Sequence, residues 1–208
     1  MVDAALVLAG LSAAGLAFGA PATTPATLRW GPLFDALDGD GDGDYVTAVE
    51  LIYEGYLFHY RRSRVSETPA VARAATLLAG DFFYARGLRL VAARGDAEAV
   101  GLLARLMAAC SQLRSVGAPF ADDDALWAYT MGGLAALRAG APAATAVGLF
   151  ARFDAAAAAG TAISVRDMAR EEARRLKLRD AAPLEHELRG AGAAAASDSA
   201  ASSAPAGR

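Results

Sequence analysis

Residues 48–64, AVELIYEGYLFHYRRSR, and residues 77–96, LLAGDFFYARGLRLVAARGD, decide how this chain reads. Most of the remaining sequence is rich in alanine, whereas these two stretches mix aromatic, charged and glycine residues. In the first, Val49, Ile52, Tyr53, Tyr56 and Tyr60 recur at spacings of three and four, which sets them on one helical stripe. Around the second, Val71, Ala75, Leu78, Phe82 and Ala85 keep the same period and are expected to face a core. Phe82, Phe83 and Tyr84 are consecutive, and neighbouring helical residues point about 100° apart. If Phe82 faces the core, Phe83 or Tyr84 must face elsewhere, as an interface residue would.

Working outward, the same grammar continues. Of 208 residues 55% are hydrophobic, mostly alanine, and strand-like alternation does not persist. The expected fold is all-α, a single bundle without a sheet. Helices are predicted over Ala97–Leu113, Ala125–Arg138, Pro142–Ala158 and from Ser164 to about Leu178. Gly95-Asp96 closes one helix and caps the next. The triplet Asp122–Asp124 reads as an N-terminal cap, and Ser164–Asp167 as a capping box. Glu171 and Arg175 form an i, i+4 pair. Residues 1–27 are expected to form an apolar first helix and a loop, residues 28–189 the main helical domain, and residues 190–208 a disordered Ala/Ser-rich tail.

Charge and cysteine content narrow the function. A net charge of −3 argues against nucleic acid as a partner. The single cysteine, Cys110, lies on an apolar stripe with Val100, Leu103 and Met107, where a small core residue is expected. It suits a reducing, cytoplasmic setting. The apolar run from Ala4 to Ala20 lacks the basic residues that open a signal peptide and is short for a membrane span.

The two deciding stretches together resemble the trans-prenyltransferases, the all-helical polyprenyl (isoprenyl diphosphate) synthases. Glu50, Leu51, Ile52, Leu57 and His59 match the frame of that family's first catalytic helix. Leu78, Gly80, Asp81, Ala85 and Arg86 match its L-x-G-D-x-L-x-A-R hallmark. The resemblance covers roughly Leu28 to Leu137 and implies the isoprenoid synthase fold, with the family's helical domain running beyond what this chain contains. It also implies a missing active site. The aspartate-rich motif that holds Mg²⁺ in the family falls on Tyr60, Arg61 and Arg64, which cannot ligate the ion. The basic motif for the second diphosphate leaves only Leu28 and Arg29, the K-T pair falls on Met131 and Gly132, and Asp167 alone stands near the second aspartate motif.

The resemblance thus implies a pseudoenzyme without a magnesium cofactor. It would act as a regulatory or structural subunit paired with a full-length prenyl diphosphate synthase, or as a self-dimer. Arg29, Arg61, Arg62 and Arg64 are candidates for a clamp on a diphosphate or a partner carboxylate, since arginine forks match both anions. Arginines 61, 62 and 64 also read as a solvated helix end. Asp38, Asp40 and Asp42 in DGDGDGD occupy the first ligand positions of an EF-hand loop, but Val49 stands where the closing Glu is needed. Two other readings are a degenerate helical scaffold without an isoprenoid role, and a calcium-loop protein with an exported N-terminus.

Overall fold

The computed structural model describes residues 4–15, 17–67, 73–161 and 164–190. The fold is all-α. Ten helical segments occur among these residues, with one minimal pair of strands. They are α1 (Ala4–Gly15), β1 (Ala20–Pro21), α2 (Gly31–Asp38), α3 (Gly43–Tyr60), β2 (Ser66–Glu67), α4 (Arg73–Ala93), α5 (Ala97–Ser115), α6 (Phe120–Arg138), α7 (Ala143–Ala146), α8 (Gly148–Ala158), α9 (Val165–Ala173) and α10 (182–190). The strand pair is antiparallel, Ala20 opposite Glu67 and Pro21 opposite Ser66, a local clasp that the reading without a sheet did not anticipate. Where the sequence reads as one bundle, the chain divides into two compact units, Met1–Gly101 and Leu102–Arg208. The tail beyond residue 190 lies outside the described residues.

The first unit is built on α3. Asp42 starts this helix, its Oδ1 accepting from the backbone N–H groups of Asp44 and Tyr45 at 3.1 and 3.3 Å. The preceding helix α2 stops at Gly39, whose left-handed φ of 77° lets its N–H turn back to the Asp35 carbonyl. Tyr45, Val46 and Ala48 to Phe58 without a break are buried, so α3 is covered on all sides and has no single apolar face. Trp30 and Phe34 from the α2 region, and Val7 and Leu11 of α1, complete this core.

Helix α4 lies antiparallel on α3, and glycine decides which face it presents. A Cβ at Gly87 would meet Ile52 and the Ala48 carbonyl, and one at Gly55 would fall 2.8 Å from the Gly80 carbonyl oxygen. A Cβ at Gly80 would fall on the His59 ring. The two backbones therefore approach more closely than any side chain at these sites would permit. The buried residues of α4 are Ala79, Gly80, Phe83, Gly87 and Val91. The stripe expected inside, Leu78, Phe82 and Ala85, points outward instead. Glycine at positions 80 and 87 sets the close approach that fixes the inner face, and Phe83, stacked on Phe58 of α3 at 5.5 Å, and Val91 fill the space beside it.

The second unit has the same logic around α6. Residues 125 to 136 of that helix are buried throughout, Trp127 and Tyr129 among them. Leu102, Leu103, Leu106, Ala109, Cys110 and Leu113 of α5 supply an apolar stripe at helical spacing. Cys110 is buried, as expected of a core residue. Met107 lies less deep than the expected stripe required. Helix α6 begins at Phe120 with Pro119 as its cap residue, so the acidic triplet lies inside the helix and is not its cap. Asp123 is buried against Arg114 Nε at 2.9 Å, and Asp122 faces Arg166 at 3.2 Å. Burial pushes the Asp122 carboxyl above its usual range, and the attraction of Arg166 and Arg114 only partly offsets this. Ser164 caps α9 by accepting from Asp167 N–H at 3.2 Å, and Glu171 pairs with Arg175 at 3.4 Å, both as expected. That helix ends at Ala173, short of Leu178. No described helix is long and apolar enough to cross a membrane.

Candidate functional site

Two glutamates one turn apart on α3 set the chemistry of the first unit. Glu50 and Glu54 are fully buried, although they occupy a helix whose other inward residues are apolar. A buried carboxylate is tolerated only with donors around it. Oε1 of Glu50 accepts from three successive backbone N–H groups, Arg29 at 2.8 Å, Trp30 at 2.7 Å and Gly31 at 2.7 Å. These are the open donors at the start of α2, so one side chain caps a helix that its own cap residue, Trp30, does not serve.

Arg64 closes the charge. Its Nη1 donates to Glu50 Oε2 at 2.6 Å and to the Thr27 carbonyl at 2.8 Å. Its Nε donates to Glu54 Oε2 at 2.9 Å, and Nη2 to the Glu50 carbonyl at 3.2 Å. Glu54 Oε1 in turn accepts from the Ser63 hydroxyl at 2.6 Å and from Arg64 N–H at 2.9 Å. The guanidinium also lies 4.8 Å from the Tyr53 ring centre. Burial alone would lower the Arg64 pKa, but the two carboxylates outweigh it and raise the value. Arg64 therefore faces inward and binds its own chain.

The other arginines go different ways. The guanidinium of Arg29 stacks on Trp30, 3.8 Å from the ring centre. Arg61 and Arg62 line a groove of about 720 Å³ together with His59, Arg73, Phe58, Thr76 and Leu77. Glu67 lies at its edge, 3.3 Å from Arg62. The Thr23 hydroxyl and backbone N–H hold the Glu67 carboxyl below its ordinary range, with help from Arg62. The four arginines named from the sequence thus form no single clamp. Arg61 and Arg62, joined by Arg73, give the groove a positive lip able to receive an anionic group.

Of the hallmark residues, His59 lines this groove. His59 Nε2 is 3.2 Å from Asp81 Oδ1, and its ring stacks on Tyr84 at 5.1 Å and 19°. Gly80 is the residue that lets His59 approach, so Gly80 and Asp81 both serve the contact with α3. Arg86 is exposed, its guanidinium 6.0 Å from the Phe82 ring centre. The EF-hand candidates are dispersed. Asp38 ends α2, Asp40 is exposed in the loop, and Asp42 both caps α3 and pairs with Arg94 at 2.8 Å. Among the described residues no three His, Cys, Asp or Glu side chains gather to hold a metal ion.

No family model, curated protein or solved structure matches this chain.

Sequence reasoning missed Glu54, Ser63 and Arg73. Glu54 was open to detection: two glutamates at i and i+4 in an otherwise apolar and aromatic helix, followed by an arginine, mark a buried charge network. Arg73 carried no such signal, because its place depends on the turn between α3 and α4.

Proposed function

We propose that this chain is a non-catalytic relative of the polyprenyl synthases that acts as a protein subunit, paired with a catalytic synthase. The observation that carries the reading is the Glu50–Arg64–Glu54 network. Arg64 stands at a position where the family places a magnesium-binding carboxylate, and here its charge is neutralised from within. A site of this kind supplies no ligand for a metal–diphosphate complex, and the chemistry of the family depends on that complex. The resemblance in the α3–α4 pair supports the family, and the inward arginine supports loss of the reaction.

The test is co-expression with a full-length prenyl diphosphate synthase from the same cell, purification through a tag on this chain, and analysis of products. A stoichiometric complex with altered rate or product length is the expected result, with no allylic diphosphate consumed by this chain alone in magnesium. Turnover by the isolated chain, or failure to form any complex, would overturn the proposal.

A further inference from the structure

A cavity of about 240 Å³ lies in the second unit, between α9 and α10, and the proposed function makes no use of it. Its floor is apolar. Ala173 of α9 and Leu184 and Leu188 of α10 are buried there, and Ala181 is half-buried just before α10. The floor is held from behind by α6. A Cβ at Gly132 would fall 2.6 Å from Leu184 Cδ2 and 2.9 Å from Leu176 Cδ1, so the bare backbone lets both leucines seat against that helix. Arg170 ties the far end. Its Nε and Nη2 donate to the Leu188 carbonyl at 3.3 and 3.1 Å, and its Nη1 pairs with Asp167 at 3.0 Å. The two helices that wall the cavity are thus each fixed by contacts outside it.

The rim is charged, and unevenly so. The guanidinium groups of Arg170, Arg174 and Arg189 border the cavity against one carboxylate, that of Glu185. Arg170 is committed to Leu188 and Asp167, and Arg189 is shared with Glu185 at 3.5 Å. Arg174 stands exposed at the end of α9, where its fork can donate two parallel hydrogen bonds to a carboxylate. The chain as a whole carries a net charge of −3, so this positive rim is a local feature. An apolar floor with a few convergent charged groups is the usual make-up of a small-molecule site. The floor calls for an apolar body and the rim for an anionic head. At ~30 Å³ for each water-sized group, the cavity holds about eight of them.

We infer that the cavity between α9 and α10 binds a small monocarboxylate, its apolar body of about eight carbons on the leucine and alanine floor and its carboxylate on Arg174 and Arg189. The inference goes beyond the proposed function and does not rest on it. It is read on the isolated chain, with no synthase present.

The experiment is isothermal titration calorimetry of the full chain near pH 7, with sodium octanoate and sodium benzoate as probes. The two share the carboxylate and differ in the body, so the tighter one shows whether the floor takes a linear chain or a ring. At least one should bind at a single site with a Kd of roughly 0.1 to 1 mM. Acetate, which lacks the body, and octanamide, which lacks the charge, should each bind at least roughly tenfold more weakly. Arg174→Gln should weaken binding roughly tenfold. Glu185→Gln should tighten it roughly threefold, because it removes the one carboxylate on the rim. Ala181→Leu should abolish binding by filling the cavity; circular dichroism confirms its fold, and Ala181→Val serves as a second probe should the first fail to fold. Absence of binding by both probes overturns the inference, as does acetate binding as tightly as octanoate, which would be ion pairing without a cavity. So does binding that survives Ala181→Leu in a folded chain, and so does binding indifferent to Arg174→Gln or not tightened by Glu185→Gln.

Discussion

Replacing Arg64 by methionine should destabilise the first unit by about 3 to 5 kcal/mol, the range for removing one partner from a buried ion pair. The lower end applies here. Glu50 would keep its three backbone N–H donors, and Glu54 its Ser63 hydroxyl and one N–H. The substitution removes the arginine that bridges the two, with its hydrogen bonds to both carboxylates and to the Thr27 and Glu50 carbonyls. Urea denaturation followed by tryptophan fluorescence measures the effect. Trp30 lies beside the network and Trp127 in the second unit, so a Trp127→Phe background isolates the signal of the first. Added salt should leave the loss nearly unchanged, because the charges are buried. Exchanging Glu54 for methionine alongside R64M removes one stranded charge and should recover a large part of the stability, since apolar replacements of buried ion pairs are often close to neutral. A loss below about 1 kcal/mol for R64M, or a double variant worse than the single, would refute the reasoning that Arg64 acts by neutralising these two carboxylates.

Two further predictions address packing and pH. Gly55→Ala should cost about 1 to 3 kcal/mol, because the new methyl meets the Gly80 carbonyl and the helices must separate; Gly101→Ala, with open space around it, should cost nothing by the same denaturation assay. Tyr129 is buried, its hydroxyl donating to the Thr145 carbonyl at 3.1 Å, and burial pushes its pKa up to about 12. A pKa raised on folding means stability that is complete below pH 10 and lost as pH rises towards 12, on the order of 2 to 3 kcal/mol. Phenolate absorbance of the folded chain should show one tyrosine titrating late, and Tyr129→Phe should flatten the alkaline loss; a titration of Tyr129 near pH 10 would contradict the buried placement.

The elements of this fold were legible where local chemistry sets them. Gly95 takes a φ of 76° and Asp96 accepts from Ala99 N–H at 2.9 Å, so a break read from two adjacent letters is the break observed. Ser164 caps as its spacing suggests. Orientation was less legible. Hydrophobicity placed Leu78 and Phe82 inside α4, whereas the structure places Phe83 there between glycines, and a periodicity count weighted by apolar character cannot detect a close approach set by glycine. The acidic triplet failed for a related reason. Asp123 is held by Arg114 from the preceding helix, a long-range pairing that outweighs the local preference for a cap. At the candidate site, the sequence singled out Arg61, Arg62 and Arg64 as a group, but one turn of chain separates them into a solvent-facing pair and an inward residue. Nothing local distinguishes them, because the distinction is made by Glu50 and Glu54, ten and more residues earlier.

The network around Arg64 also constrains the order in which this sequence can change. An aspartate at position 64 would set a third carboxylate against Glu50 and Glu54 in a buried space, so that single step would fall below the stability the fold needs. Glu50 in turn cannot be freely exchanged, because three amides at the start of α2 depend on it. Neutralising Glu54 would have to come first, and only then would position 64 tolerate an acid. The three positions are therefore epistatic: each is permitted by the others, and mutational paths through them are open in one order and closed in the reverse.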